Sequence, residues 1–588
     1  MKTVFKENIQ LFIELLKYVS SEKKNIIILL VFSFFTSLLY LLVPISAQAI
    51  INTAATNVLV QPLILLCIAV FVGLLFLGFL RTFQIFIAEL VQRKVFAEVA
   101  LEMSQRLSRI QQSLFRGRYP PELVNRFFDV VTLQKAFADL IIEMPPAVIQ
   151  IVVGLVLMAI YSPVLIFFDT ALILSVIFLF FIGRGAVSTS IEESSAKYQV
   201  AFWLEEIARC QAGFKLNNHP SYLMQKTDQK VLDYLKARKS HFSIVLRQYI
   251  LGFIVEGFGT AGVLAIGGWL VMTGSLSLGQ LVAAEIVVIL ILSSLDKVIN
   301  KFETWYDLAT AVNKLNLVLD MEIDEDREGE SLRRFERGAE IVCENLTFSY
   351  DNKRKIFDNL SIMVAPGMRA SLVGVSGEGK TTLAHLIAGQ IPDFNGNIFV
   401  NGAEILSVAS RELRSNISLI SNHNEIFADT IENNIKLGRE YDDEHFERVI
   451  DLLNLREDFR KYEAGMKTIL VSEGRNISLG QRQRILMARG LMSKPQLLIF
   501  DEAFAGMDER NKLHIVDNLY SAEHAWTIIN ITHDAELVSR SDRIYLLKDR
   551  KIVENDTLAG FIDKEESEFN KLFPYLYKQL KALRNEKR

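Results

Sequence analysis

Gly374-Val375-Ser376-Gly377-Glu378-Gly379-Lys380-Thr381-Thr382 follows a short apolar run, Ala370-Ser371-Leu372-Val373, and leads into a helical pattern carried by Leu383, Leu386 and Ile387. Strand, glycine-rich turn and helix is the context that a phosphate-binding loop needs. Glycines let backbone N–H groups close around phosphate oxygens where a Cβ would crowd the anion. The start of the helix adds partial positive charge. In this reading Lys380 reaches the β- and γ-phosphates, and the Thr381 hydroxyl ligates Mg²⁺.

Downstream, Leu497-Leu498-Ile499-Phe500-Asp501-Glu502 reads as a buried strand ending in two carboxylates. One suits the Mg²⁺ shell (Asp501); the other lies where it can orient or deprotonate an attacking water (Glu502). Asp508 follows in Ala505-Gly506-Met507-Asp508. A further apolar strand, Ile529-Asn530-Ile531, ends at Thr532-His533, and that histidine could hydrogen-bond the γ-phosphate and the water. From Ile341 onward short apolar strands alternate with amphipathic helices, the pattern of an α/β domain.

The chain has 588 residues, too many for one hydrophobic core, so more than one domain is expected. Half of its residues are apolar (50%), and the net charge of −4 argues against nucleic acid as a principal partner. Cys67, Cys210 and Cys343 lie far apart without metal-ligand spacing, which fits a reduced compartment. A charged segment of about 24 residues precedes the first apolar run with no small-residue cleavage site after it, so no secretory signal is read.

The first half is membrane-like. Residues 5–20 read as an amphipathic helix (Phe5, Ile9, Phe12, Ile13, Leu16) suited to the membrane surface. Apolar runs follow at 25–46, 62–84, 142–161, 164–183, 249–272 and 278–296. Each is long enough to cross a hydrocarbon core of about 30 Å as a helix. Residues 52–61, Ser162-Pro163 and Thr273-Gly274-Ser275 lack Lys and Arg, whereas the N-terminus, 90–138 and 184–247 are rich in them. Lys and Arg mark the cytoplasmic side, so both termini are expected there. The two long inner segments read as helices continuing beyond the membrane. Their helical pattern breaks at 113–121 and 211–217, read as short docking helices. Glu143, Asp169, Glu256 and Glu285 lie in or beside the apolar runs. Ionisable groups there are functional candidates or partners of interfacial Lys and Arg. Residues 321–338, with Glu322, Asp324, Glu325, Asp326, Glu328 and Glu330, form a charge-dense linker.

Between the phosphate loop and the two carboxylates' strand lies Ile477-Ser478-Leu479-Gly480-Gln481-Arg482, opening a helix. With this motif in that order, the chain resembles the ATP-binding cassette (ABC) transporters, and its whole length is similar to an exporter-type half-transporter. The resemblance implies a multi-domain chain: an α-helical six-span transmembrane domain (1–320), the linker (321–338), an α/β P-loop ATPase domain (339–560) and a C-terminal helical extension (561–588). It implies ATP and Mg²⁺ as ligands. Tyr350 matches the residue that stacks on adenine, and Gly374, Ser376, Gly377, Gly379, Lys380, Thr381 and Thr382 fall in the phosphate loop. Asp501 matches the magnesium-shell aspartate, Glu502 the catalytic base and His533 the switch histidine. Ser478, Gly480 and Gln481 belong to the signature that closes over ATP on the partner cassette, so a second half-transporter is implied.

Two positions depart from the family pattern. Leu479 stands where a glycine is usual, bringing a bulky side chain toward the γ-phosphate. Asn422 aligns with the glutamine that senses Mg²⁺, with about 1.5 Å less reach, roughly one methylene. Both bear on hydrolysis and coupling more than on ATP binding. The expected function is ATP-driven export across the bacterial inner membrane by alternating access. The alternatives are a lipid flippase and a nucleotide-gated or regulatory protein of low turnover. The substrate stays open: the acidic residues weakly favour a cationic or amphipathic one. Leader-peptide cleavage is not expected, since it needs about 120 further N-terminal residues of peptidase domain.

Overall fold

The computed structural model describes residue 18 and residues 22–55, 60–111, 120–161, 164–217, 220–324, 326–350, 354–421, 425–521, 526–564 and 566–586. The chain divides into two compact units, the first running through Ile323 and the second beginning at Asp324.

The first unit is helical: α1 (Lys23–Tyr40), α2 (Leu42–Ala55), α3 (Val60–Leu107), α4 (Asp129–Tyr161), α5 (Leu165–Ile182), α6 (Ala186–Arg209), α7 (Gln211–Asn217), α8 (Pro220–Met272) and α9 (Leu278–Leu319). Among the described residues, five helical stretches are long and apolar enough to cross a membrane: Lys23–Ile51, Leu63–Leu107, Glu122–Ile160, Asp169–Arg209 and Ser221–Met272. The sixth expected run, 278–296, opens α9, the innermost helix, where Ala283, Ala284, Val287, Val288 and Ile291 are all buried. It packs against α4, α8, α2 and α6. A capping box starts it: Gln280 N donates to Ser277 Oγ at 3.1 Å and Ser277 N to Gln280 Oε1 at 2.8 Å, satisfying two otherwise orphaned donors.

The unit's outward surface is apolar, with Phe34, Phe35, Phe76, Phe79, Phe178 and Phe181 exposed, as lipid-facing helices require. Helices α3, α4, α6 and α8 run on past the apolar segments, as the long inner segments predict. The 211–217 segment is the helix α7; residues 1–17 and 112–119, which carry most of the surface helix and of the other tip, lie outside the described residues.

The four acidic candidates part company here. Glu143 pairs with Arg81 at 3.0 Å, Asp169 is buried within the unit, Glu285 is half-buried and Glu256 exposed.

The second unit holds two sheets: β1 (Ile341–Ser349), β2 (Lys355–Val364), β4 (Asn395–Val400) and β5 (Ala403–Glu404) pair in the order β2-β1-β4-β5, and the larger sheet has β10 (Lys551–Asp556) at one edge. In the larger, β9 (Arg543–Lys548), β3 (Arg369–Val373), β8 (Thr527–Ile531), β7 (Leu497–Asp501) and β6 (Ile417–Ser421) run parallel. Every residue of β7 and β8 is buried, as befits a parallel sheet covered on both faces. Leu332, from the segment read as a linker, already belongs to this unit's core. So do Phe561, Phe569 and Phe573 of the C-terminal extension, which pack on Val373 and Leu546 of the sheet.

Candidate functional site

Four neighbouring parallel strands end on one edge of the large sheet, and each delivers a piece of the predicted site. The loop 374–379 follows β3, His533 follows β8, Asp501 closes β7 with Glu502 after it, and the Asn422 segment follows β6. Asp501 stands level with Ile531 of β8 and Ser421 of β6. Ligands of open α/β sheets bind at these carboxyl ends. Residues 422–424 lie outside the described residues, so the magnesium-sensing assignment of Asn422 has no geometry here.

The phosphate loop lies tight against the sheet. A Cβ on Gly374 would stand 2.3 Å from the Leu547 carbonyl oxygen of β9, so only glycine permits that approach. Gly379, at φ +103°, caps α10 (Lys380–Ile387) in a backbone conformation that side chains disfavour. Lys380 is buried, and its Nζ donates to the carbonyls of Gly374 (2.7 Å) and Val375 (3.1 Å). Burial lowers its pKa, while Glu502, Asp501 and Glu378 oppose that shift. Among the described residues this ammonium makes no ion pair: its direct contacts are neutral carbonyls, and the carboxylates act on it only from a distance. An anion seated over the loop would supply the missing charge; the residues fit a phosphate. Ser376, Gly377 and Thr381 are exposed along the loop, and Thr382 is buried beneath it. Tyr350, past the end of β1 (Ile341–Ser349), donates its hydroxyl to Thr382 Oγ1 at 3.0 Å, which fixes its ring beside the loop.

Glu502 is exposed at φ +52°, a left-handed conformation uncommon outside glycine, and its N–H donates to Ile531 O at 2.9 Å. Glu502 lines a pocket that His533, Thr532 and Asn530 also line. The two residues predicted to handle the water therefore share one cleft. Asp534, next to His533, caps α13 (Ala535–Ser539) and accepts Lys512 Nζ at 2.6 Å. That ion pair anchors the histidine segment, a support which the spacing of residues did not reveal.

The signature forms the start of α11 (Leu479–Met492). Gln481 N donates to Ser478 Oγ at 3.2 Å and Ser478 N to Gln481 Oε1 at 3.0 Å, a second capping box. Ser478 is exposed. Leu479 turns its side chain onto Gly506: a Cβ there would lie 2.2 Å from Leu479 Cδ2. Gly480 sits beside Met507 of the same segment. Sequence reading treated Leu479 as an isolated departure and missed that residue 506, being glycine, makes room for it. Asp508, two residues on, caps α12 (Glu509–Leu519) by accepting Asn511 N at 3.0 Å, which holds its carboxyl below the usual range.

Comparison with known proteins agrees with this geometry. The family model described as the ABC transporter transmembrane region matches residues 26–295, and the one described as ABC transporter matches residues 357–505. The chain is 27% identical to the transport/processing ATP-binding protein ComA of Streptococcus pneumoniae over 524 residues, 88% of this chain and 72% of that protein. It is 26% identical to the ATP-dependent lipid A-core flippase of Desulfotalea psychrophila, over 87% of this chain and 89% of the relative. Its fold matches a bacterial Atm1-family ABC exporter with ATP bound, at a TM-score of 0.81 and 20% identity, covering 95% of this chain and 98% of that one. With membrane and cassette regions both matched, in the order that the phosphate loop, signature and paired carboxylates require, this chain belongs to the ABC transporters as an exporter-type half-transporter.

Proposed function

We infer that two such halves, this chain with a copy or a relative, form an ATP-driven exporter of the bacterial inner membrane, spanning it six times per chain with both termini in the cytoplasm. The observation that carries the reading is the convergence of the loop 374–379, Asp501, Glu502 and His533 on one sheet edge. Thr381 and Asp501 are the residues that would hold Mg²⁺, which when bound offsets phosphate charge. Lys380 and the loop amides bind and orient the nucleotide's phosphates. Glu502 takes the proton of the attacking water, and His533 holds that water and the γ-phosphate in line. Ser478, Gly480 and Gln481 serve the opposite site of the pair, so ATP binding closes the two cassettes and hydrolysis releases them. That cycle turns the spans between inward and outward access.

A lipid flippase is the second reading, favoured by the similarity to the lipid A-core flippase along nearly that protein's whole length. Substrate-stimulated ATPase in lipid nanodiscs separates the two. Stimulation by lipid headgroup analogues alone supports the flippase, and stimulation by water-soluble peptides supports a peptide exporter. A chain whose ATPase responds to neither class, and which moves nothing in inverted vesicles, overturns both.

A further inference from the structure

Toward the inner end of the first unit's apolar belt lies a charged cluster built from four helices. Arg81 of α3 donates to Glu143 of α4 and to the Tyr40 hydroxyl of α1, both at 3.0 Å. Lys297 of α9 lies over the Tyr40 ring, its Nζ 6.0 Å from the centroid. Thr36, Gln84 and Gln150 line the same small pocket. Gln84 and Gln150 are buried and bonded within the unit, to Ser33 and Ser294 respectively.

Arg81 and Glu143 lie in the inner ends of the apolar runs 62–84 and 142–161, and Lys297 directly follows the run 278–296. Along α3, exposed apolar side chains continue on both sides of Arg81: Phe76 and Phe79 before it, Phe86 and Leu90 after it. Lys94, which pairs with Glu22, lies 13 positions beyond Arg81, or about 20 Å along the helix at 1.5 Å per residue. Ionisable groups at such depth face protein or a water-filled cavity, and they mark substrate pathways. The Arg81 side chain is 45% exposed, so it is not sealed within the unit and is open to a ligand.

The charge count decides what binds. Glu143 is neutralised by Arg81, whereas Lys297 pairs with no carboxylate among the described residues. Two cations face one anion, and the excess is positive. We propose that Arg81, Lys297 and Tyr40 form a binding site for the anionic head, a phosphate or carboxylate, of an amphipathic substrate whose apolar body lies along the belt. This rests on the reading of the chain as an exporter half and names the substrate class of that exporter. Of the expected cationic or amphipathic substrate it keeps the amphipathic character and reverses the charge, because the carboxylate in this cluster is already paired.

The test is nucleotide-free binding of radiolabelled oleate, dodecyl phosphate or dodecyltrimethylammonium to the full-length chain in zwitterionic nanodiscs, over empty discs. Arg81→Gln alone would strand Glu143, so the variants are Lys297→Gln and the double Arg81→Gln/Glu143→Gln. Each is expected to weaken binding of the anionic amphiphiles about tenfold, the scale of one charge-assisted contact. The ratio of oleate to dodecyl phosphate affinity then identifies the head. Unchanged affinity in both variants, or tighter binding of the cationic amphiphile to the native chain, overturns the proposal. Because nucleotide is absent throughout, a chain that binds these anions yet never turns over ATP contradicts the exporter reading and leaves the site standing.

Discussion

Leu479 and Gly506 behave as one unit at the residue scale. The leucine is tolerated because its side chain lies over a residue without a Cβ. Gly506→Ala should therefore displace Leu479 toward the face that the partner cassette covers, and it also places a side chain at φ +76°, at a cost of about 1 kcal/mol or more. ATPase turnover should fall, and Leu479→Gly in the same chain should restore part of it. The shortfall left by the double variant measures the backbone strain; no restoration at all would mean that the contact is incidental. Lys380→Ala should weaken ATP binding itself, since it removes the one buried ammonium at the loop. Unchanged nucleotide affinity by fluorescence titration would remove Lys380 from that role.

The elements of the nucleotide site were legible because each motif sits at an element end, where local chemistry is strong. A glycine run between an apolar strand and a helix, and carboxylates closing a buried strand, allow few backbone conformations. What stayed hidden depends on contacts distant in sequence: Gly506 under Leu479, Lys512 bracing Asp534, and Arg81 meeting Glu143 across 62 positions. The carboxylates in the apolar runs were visible as anomalies, but no period or spacing tells which cation reaches them. The start of α11 offers a test at this scale, because Ser478 caps the helix and, in the proposed dimer, faces the second cassette. Ser478→Ala should cost the domain about 1 kcal/mol of stability through the lost cap. Ser478→Asp keeps the cap but brings negative charge toward phosphate, so stability should hold while turnover collapses. Equal stability loss in both variants by urea denaturation would show that the capping box contributes little.

In the proposed exporter, taken as a whole molecule, the halves of each ATP site belong to different chains. On that reading this chain carries a complete hydrolytic half in Lys380, Asp501, Glu502 and His533, while its signature half is the altered one. A homodimer places Leu479 in both sites; a heterodimer confines it to one and leaves the other with a partner's signature. Activity of the purified chain alone distinguishes the two arrangements: robust turnover means that a homodimer suffices, and turnover only after adding a second half-transporter means a mixed pair. The most direct measurement of the account is ATP binding and Mg²⁺-dependent ATP turnover by the full chain in nanodiscs, alone and with such a second half, for the native sequence and for Glu502→Gln. Removing a positioned base typically costs 10²–10⁴ in rate. The account predicts that Glu502→Gln binds ATP as the native chain does and hydrolyses it at least about 10²-fold more slowly. A native chain that binds no ATP, or a Glu502→Gln variant that turns over at the native rate, would contradict it.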